Sequence, residues 1–367
     1  MSEALRPTRV EVDLEAVRYN VGVLKPADAE LMAVVKANAY GHGDVPVARA
    51  AVEGGATWLG VALVEEGLRL RAAGITAPIL VLSEFPPGAE AAALAANLTP
   101  SLYSEAGLRG LAAAAAGRRV GVHVKVDTGM HRVGVWPPAA TVAFVEGLAA
   151  AGLEFEGLFT HLARSEEDGA TTKAQLATFL NVAGEVRAAG HMPRLVHAAN
   201  TGGTILHPAA RLDLVRPGIG IYGILPGPGV GAQLGLRPAL RWRSRVTFAK
   251  RLPAGERLSY GHRYELRRDA WVATVPVGYA DGYPRSASSR SEVLIGGLRC
   301  RVAGNVTMDQ LVVDCGDREP RAGEEVVLIG PQGDQVITAE ELGGLAGTIG
   351  YEIVTRIGER VPREYVG

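Results

Sequence analysis

The chain has 367 residues, 47% apolar and 21% charged, with a formal net charge of −1. That length suggests two domains, or one large α/β domain with an appendage, and the apolar content excludes disorder as the main state. Near-neutral charge leaves no electrostatic footprint for nucleic acid or an anionic membrane.

In chain order, residues 8–13 read as a strand that could pair with either of two domains. From residue 31 a repeating alternation sets in. Apolar runs at 31–35, 58–62, 78–82, 98–102, 120–126, 155–160, 194–198 and 211–216 read as short buried strands. Segments such as 44–54, 63–73, 104–116, 137–151 and 171–189, which lie between them, read as amphipathic helices. Eight strands alternating with helices predict a parallel (β/α)8 barrel of the TIM type, with a doubly wound open sheet as the competing architecture. At 225–239 the stretch LPGPGVGAQLGLRPA breaks any regular element and reads as a linker. Beyond it helical patterns largely vanish. Runs at 241–250, 271–277, 292–296, 299–303, 311–314 and 325–329 predict a mainly β domain. The expected division is a barrel over 8–235 and a β domain over 236–367, with residues 1–12 as candidates to join the latter.

Cys300 and Cys315 are too few to staple a chain of this length, so a disulfide scaffold is not expected. The N-terminus has no continuous apolar h-region, and the Ala-rich stretches at 91–96 and 111–116 are too short to span a bilayer. A soluble cytoplasmic protein with no membrane partner, no nucleic acid and no metal site is the expectation. Lysine is scarce, at five against 33 arginines, which fits a GC-rich coding bias.

In a parallel barrel, functional groups gather at the C-terminal ends of the strands. Lys36 follows the first strand, Lys125 lies in the fifth with Arg132 beyond it, and His161 follows the sixth. The seventh strand runs into Asn200 and Thr201, and the eighth ends in Arg216-Pro217-Gly218. Five such ends converging on one mouth favour an enzyme over a structural protein. An ammonium directly after LMAVV loses hydration, which lowers its pKa and suits a Schiff-base nucleophile or a general base. A lysine snorkelling at the barrel rim is the plainer alternative.

The run AVVKANAYGHG (33–43) resembles the pyridoxal-phosphate attachment motif of alanine racemases. The resemblance continues in HVKVDTGMHRVG (123–134), THLARSE (160–166), HAANTGGT (197–204) and VRPGIGIYG (215–223). It extends through SYG (259–261), VGYADGYPR (277–285), MDQ (308–310) and YEI (351–353). The family fold, a (β/α)8 barrel followed by a β domain, agrees with the reading of the strands.

The resemblance implies that Lys36 holds pyridoxal 5'-phosphate as an internal aldimine and that the cofactor acidifies the Cα–H of alanine. It further implies two bases, Lys36 on the D-isomer face and Tyr260 on the L-isomer face, with Tyr260 supplied by the other subunit of a head-to-tail homodimer. By residue type and spacing alone, Tyr260 is an ordinary turn tyrosine. Arg216 resembles the arginine facing the pyridine nitrogen, where a guanidinium donates a hydrogen bond rather than a proton. Without the family it reads as a rim salt bridge. Gly218 and Ile219 offer N–H groups to the phosphate, and Tyr40, Asn200, Thr201 and Tyr351 match positions around it. Thr201 departs from the commoner serine but keeps the hydroxyl.

His161 is placed near the ring, and His197 buttresses Arg216, although both could equally be satisfied rim residues. Arg132 matches the contact to the substrate carboxylate. Lys125 matches a lysine carbamylated in several members, a modification that would orient Arg132. Met308 resembles the residue whose backbone touches the substrate carboxylate from the other subunit, and Thr307 replaces a cysteine common before it. Tyr279 and Asp309 match the inner gate of the entryway, whose narrowness favours a methyl side chain. The implied role is D-alanine supply for bacterial peptidoglycan. A broad-specificity amino-acid racemase of the same fold is the alternative. A decarboxylase of this fold and a single-barrel cofactor-binding protein are disfavoured by the Tyr260 and Met308 contexts and by the whole β domain.

Overall fold

The structure is a computed structural model that describes residues 6–367, so residues 1–5 of the N-terminal stretch lie outside the described residues. The chain divides into two compact units, one made of Val17–Ala39 and Asp44–Arg237, the other of the N-terminal residues to Ala16, Tyr40–Gly43 and Pro238–Gly367.

The first unit is a closed parallel barrel. Its eight staves are Glu30–Val34, Trp58–Val61, Ile79–Val81, Leu98–Thr99 continued by Ser101–Leu102, Gly121–Lys125, Glu154–Phe159, Leu195–His197 and Leu214–Val215. Pro100 interrupts the fourth because it has no N–H to give the ladder, yet its carbonyl still accepts from His123 N at 3.0 Å. Closure is direct: Leu214 pairs with Glu30, and Asp213 N reaches Val196 O at 3.0 Å. A doubly wound sheet would leave two free edges, and this sheet has none. The staves are buried on both faces, which is why they read as continuous apolar runs. Met32, Trp58, Leu80, Leu195 and Leu214 form a cluster in its core.

The returning helices begin where short polar side chains can take up free N–H groups. Ser104 Oγ accepts from Gly107 N ahead of Glu105–Ala115, and Asp168 accepts from Ala170 N and Thr171 N ahead of Gly169–Ala188. The segment 137–151 opens with a single 3-10 turn, Pro138–Ala140, before Thr141–Ala150 becomes α-helical.

The second unit is built on a ten-stranded sheet. Along its main path the order is Phe248–Leu252, Ala270–Val275, Leu311–Gly316, Leu298–Val302, Glu292–Ile295, Glu325–Gln332, Leu240–Arg245, Arg9–Asp13 and Arg363–Val366. The N-terminal strand left open by its sequence pairs here, antiparallel to Leu240–Arg245 and parallel to Arg363–Val366. Alternating burial in Leu311–Gly316 marks one face as core and the other as wet.

The run 241–250 is two strands rather than one. At the break the chain changes neighbours, Val246 N bonding Glu324 O and Thr247 N bonding Thr274 O. Helices Ala339–Ala346 and Gly350–Thr355 also stand in this unit, the former capped by Thr338. Their glycines dilute the apolar period that would have announced them. Among the described residues no helix is long and apolar enough to cross a membrane.

Candidate active site

The expected site residues fall into two sets, one in each unit. In the barrel unit, Lys36 stands at the end of the first stave and is half-buried. Its ammonium is pushed down from the ordinary lysine value, by burial first and by the Arg132 charge second, while Glu66 pulls it back up. The backbone after it is unusual: Ala37, Asn38, Ala39 and Tyr40 all carry φ between 51° and 53°, a left-handed turn made without a single glycine. Such conformations are costly for residues with a Cβ and persist where the surroundings over-determine them. Here Glu66 accepts from Ala37 N at 2.7 Å and from Ala62 N at 2.8 Å, and Asn38 Oδ1 accepts from Asp44 N at 3.0 Å.

Lys125, at the end of the fifth stave, is buried and is pushed down to about 8, by desolvation first and then by Arg132 and Arg216. Its Nζ lies 5.7 Å from the Phe159 ring centroid, and the Arg216 guanidinium lies 5.4 Å from the same ring. Both distances fall within cation–π range. Among the described residues no carboxylate pairs with Lys36, Lys125, Arg132 or Arg216. Asp127, the nearest acid in sequence, accepts instead from Gly129 N and His131 N, both at 3.0 Å. The result is four cations around one mouth, and His161 feels all of them together with burial, which holds its imidazole well below the ordinary histidine range.

Arg216 is 4% exposed and fully engaged on its Nη side. Its Nη1 donates to His197 Nδ1 at 2.7 Å, and Nη2 donates to Thr160 O at 2.6 Å and Ala198 O at 3.0 Å. Burial lowers it to about 9, which still leaves it cationic at neutral pH. His197 stacks on Phe159 at 4.9 Å and its Nε2 lies 2.8 Å from His123 Nδ1. His197 is thus not a rim histidine but a buried one, locked between an arginine and a second imidazole. Thr201 Oγ1 accepts from Gly218 N at 3.0 Å, tying the end of the eighth stave to the start of the turn after the seventh. Asn200 Oδ1 accepts from Gly203 N and from Ser165 Oγ, both at 2.8 Å. Ile219 opens a 3-10 turn, so its N–H has no acceptor within that turn.

In the β unit, Tyr260, Tyr279, Met308 and Asp309 line one cavity of about 660 Å³ together with Arg285, Asn305 and Thr307. Tyr260 sits between Ser259 at φ 61° and Gly261 at φ 75°. Asn305 Nδ2 donates to Tyr260 O and Ser259 Oγ donates to Asn305 O, both at 2.7 Å, so the tyrosine turn is bonded to the Met308 loop. That loop is held from its other side as well: Tyr279 N bonds Thr307 O and Ala280 N bonds Met308 O, each at 3.0 Å. The contact is so close that a Cβ on Gly278 would lie 2.2 Å from Met308 O. Asp309 pairs with Arg360 at 2.8 Å, and buried Asp281 takes a bidentate bond from Arg6. Tyr260 is 75% exposed and Met308 53%. Tyr40 and Tyr351 also belong to this unit, their ring centroids 6.2 Å apart.

Reading the sequence missed three contributors. Glu66, His123 and Asp281 touch none of the expected chemistry directly but fix the groups that would. Glu66 carried a signal, an acidic residue in the first turn of helix Val64–Ala72 just past a stave. His123 is visible only once the barrel closes on His197, and Asp281 only once its turn meets Arg6.

Comparison with known proteins decides the family. The alanine racemase N-terminal domain matches residues 12–226 and the alanine racemase C-terminal domain matches residues 239–365. The chain belongs to the alanine racemase family. It is 52% identical to the alanine racemase of Symbiobacterium thermophilum over 373 residues, covering 100% of this chain and 98% of that protein. It is 47% identical to the alanine racemase of Frankia casuarinae, covering 97% and 95%. Among solved structures, alanine racemase from D-cycloserine producing Streptomyces lavendulae matches with a TM-score of 0.94 at 43% identity, covering 100% of this chain and 98% of that one. The Bacillus anthracis alanine racemase with bound L-Ala-P matches with a TM-score of 0.93 at 38% identity, covering 100% and 96%. As a member of the alanine racemase family the chain is an isomerase.

Proposed function

We propose that the chain interconverts L-alanine and D-alanine by moving the Cα proton between two bases, with pyridoxal 5'-phosphate held on the barrel unit. The observation that carries this reading is the barrel mouth itself. It offers two primary amines with lowered pKa, Lys36 and Lys125, the donor-only guanidinium of Arg216, and the Thr201 hydroxyl and Ile219 N–H where two staves meet. That donor set fits a phosphorylated pyridine aldehyde: Lys36 for the aldehyde carbon, Arg216 for the ring nitrogen, and Thr201, Gly218 and Ile219 for the phosphate. Asn200, Tyr40 and Tyr351 would complete the phosphate surroundings, and His161 would lie beside the ring. When bound, the cofactor withdraws electrons from the substrate and makes its Cα proton removable.

The chain's own side chains do the rest. Lys36 Nζ would move the proton on the D-isomer's face and Tyr260 Oη on the L-isomer's face, because a single rigid base would return the proton to the side it left. Arg132 and the Met308 backbone would hold the substrate carboxylate. Arg216, which cannot supply a proton to the ring nitrogen, keeps the electron sink weak and the proton transfer reversible without side reactions.

We assign the second base to another copy of the chain. A tyrosine 75% exposed beside an open cavity is suited to being covered by a partner, and the expected species is a cytoplasmic homodimer with shared sites. Tyr279 and Asp309 would then narrow the approach to a methyl-sized side chain. D-alanine for the cell wall is the implied product. The test is conversion of either alanine enantiomer in deuterated water, with deuterium entering Cα. Failure to label Cα, or equal turnover of lysine, arginine and serine, would contradict the reading.

A further inference from the structure

The two cysteines are used by none of the chemistry above, and the sheet places them face to face. Strands Leu298–Val302 and Leu311–Gly316 run antiparallel with Arg301 opposite Asp314 and Val302 opposite Val313. One step outward along the same register sets Cys300 opposite Cys315. The bond from Ala303 N to Val312 O marks that pair as hydrogen-bonded. By alternation, the Cys300 and Cys315 positions form a non-hydrogen-bonded pair, where Cα atoms sit about 4.5 Å apart and side chains are closest. Disulfides need a Cα separation of roughly 4.4–6.8 Å. Both residues are buried, at 4% and 8% exposure, and both are free thiols.

We propose that Cys300 and Cys315 are an oxidation site, a dithiol that closes to a cross-strand disulfide at the base of the hairpin whose loop carries Met308. The loop spans residues 303–310, and Asn305, Thr307, Met308 and Asp309 of it line the cavity. The thiols interact with each other, and the positive Arg318 guanidinium faces both of them. The Cys315 bond first, with Arg318 adding to it, favours the thiolate at Cys300 against burial, Asp314 and Glu292, while the Cys300 bond and burial keep Cys315 protonated. Arg318 stands beside the pair, its backbone N–H donating to Cys315 O at 3.2 Å, while its guanidinium pairs with Glu324 through Nη2 and leaves Nη1 buried without a hydrogen-bond partner among the described residues.

The oxidant is a peroxide, small enough for a site this enclosed. The Cys300 thiolate attacks one peroxide oxygen, the O–O bond breaks, and hydroxide leaves, giving a sulfenic acid. The Cys315 sulfur then attacks the sulfenic sulfur, its proton leaving with the displaced hydroxide as water. Two thiols lose two electrons, and one hydrogen peroxide becomes two waters. An added dithiol reverses the bond.

The significance for Met308 rests on the function proposed above, but the test does not. The intact holoenzyme is treated with hydrogen peroxide, unfolded, blocked with iodoacetamide and mapped by mass spectrometry. Two titratable thiols should disappear, with a mass lower by two hydrogens, a peptide linking Cys300 to Cys315, and full reversal by dithiothreitol. Amide hydrogen exchange across residues 303–310 should slow in the oxidised form. Cys315→Ala should yield no link and a dimedone-trapped sulfenic acid at Cys300. Persistence of both thiols, over-oxidation of Cys300 without a link, or unchanged exchange in the linked protein would each overturn the proposal. None of these readouts requires racemase activity, so failure here and failure of the functional reading are separable.

Discussion

Arg216 Nη1 donates to His197 Nδ1 across 2.7 Å, and this one contact sets the tautomers of two imidazoles. A guanidinium has no acceptor, so His197 Nδ1 must be bare and its proton must sit on Nε2. That proton points at His123 Nδ1, 2.8 Å away, which leaves the His123 proton on Nε2, with Glu156 Oε2 at 4.0 Å. A directional chain therefore runs from the mouth through the barrel core. His197→Leu would strand a guanidinium hydrogen in that core. Loss of a hydrogen bond to a charged group costs about 1.5–3 kcal/mol, which for a chain of 367 residues lowers the melting temperature by roughly 2–4 °C. Scanning calorimetry of the holoenzyme tests this, and an unshifted transition would contradict it.

The same burial makes stability depend on acid. Desolvation pushes His123 down to about 3, and burial together with neighbouring cations holds His161 and His197 below the ordinary value of 6.5. As pH falls below about 6.5, the unfolded chain binds protons that the folded barrel refuses, so stability is full above that pH and is lost progressively toward 3. The urea midpoint should be lower at pH 5 than at pH 8. His123→Gln should flatten the slope; an identical slope would remove His123 from the account.

Lys125, lowered to about 8, is neutral in roughly a tenth of molecules at pH 7. A neutral amine can take up carbon dioxide, forming a carbamate and releasing one proton. The resulting anion would supply the paired negative charge that no carboxylate among the described residues gives these four cations. Labelled bicarbonate should therefore give a carbamate carbon signal in the wild type and none in Lys125→Ala. That variant should lose roughly 10–100-fold in kcat/KM, the worth of one charge-assisted bond, and acetate should restore part of it. No signal and no rescue would mean that Lys125 acts as a cation.

On the proposed two-base reading, removing Tyr260 slows racemisation in both directions alike, because the two directions share one equilibrium constant. A positioned general base contributes roughly 10²–10⁴-fold. Tyr260→Phe should lose that much turnover while still binding cofactor through Lys36, as read by absorbance. Undiminished racemisation by this variant would end the two-base assignment.

Gly278 reports on the Met308 loop. A Cβ there would press on Met308 O at 2.2 Å, and backbone cannot swing aside as a side-chain tip can. Overpacking of this kind costs about 1–3 kcal/mol. Gly278→Ala should raise the KM for alanine more than it lowers kcat, because on the proposed reading Met308 holds the substrate carboxylate and is not a base. Equal effects on both would place the damage elsewhere.

Much of the barrel was legible because each stave is an apolar run bounded by turn residues, and burial on both faces writes that pattern plainly. Lys36, Lys125 and Arg216 could be picked out because they end such runs. Helix Ala339–Ala346 was not legible, since Gly343 and Gly344 blur its period. Nor was the pairing of Arg9–Asp13, whose partners lie more than 200 residues away in the chain. His123 looked like one polar residue inside a strand. Its meaning depends on His197 approaching from two staves further round, a relationship set by closure rather than by local pattern.

The division of the chain bears on modularity. The path leaves the barrel unit at Ala39, spends Tyr40–Gly43 in the β unit, and returns at Asp44, having already begun with strand Arg9–Asp13 there. No single cut releases either half whole. A fragment ending at Arg237 would keep Arg9–Asp13 but lose both of its neighbours, Leu240–Arg245 and Arg363–Val366, leaving an unpaired strand open to other chains. Dividing the chain at the 225–239 linker therefore does not separate the two units as self-contained modules.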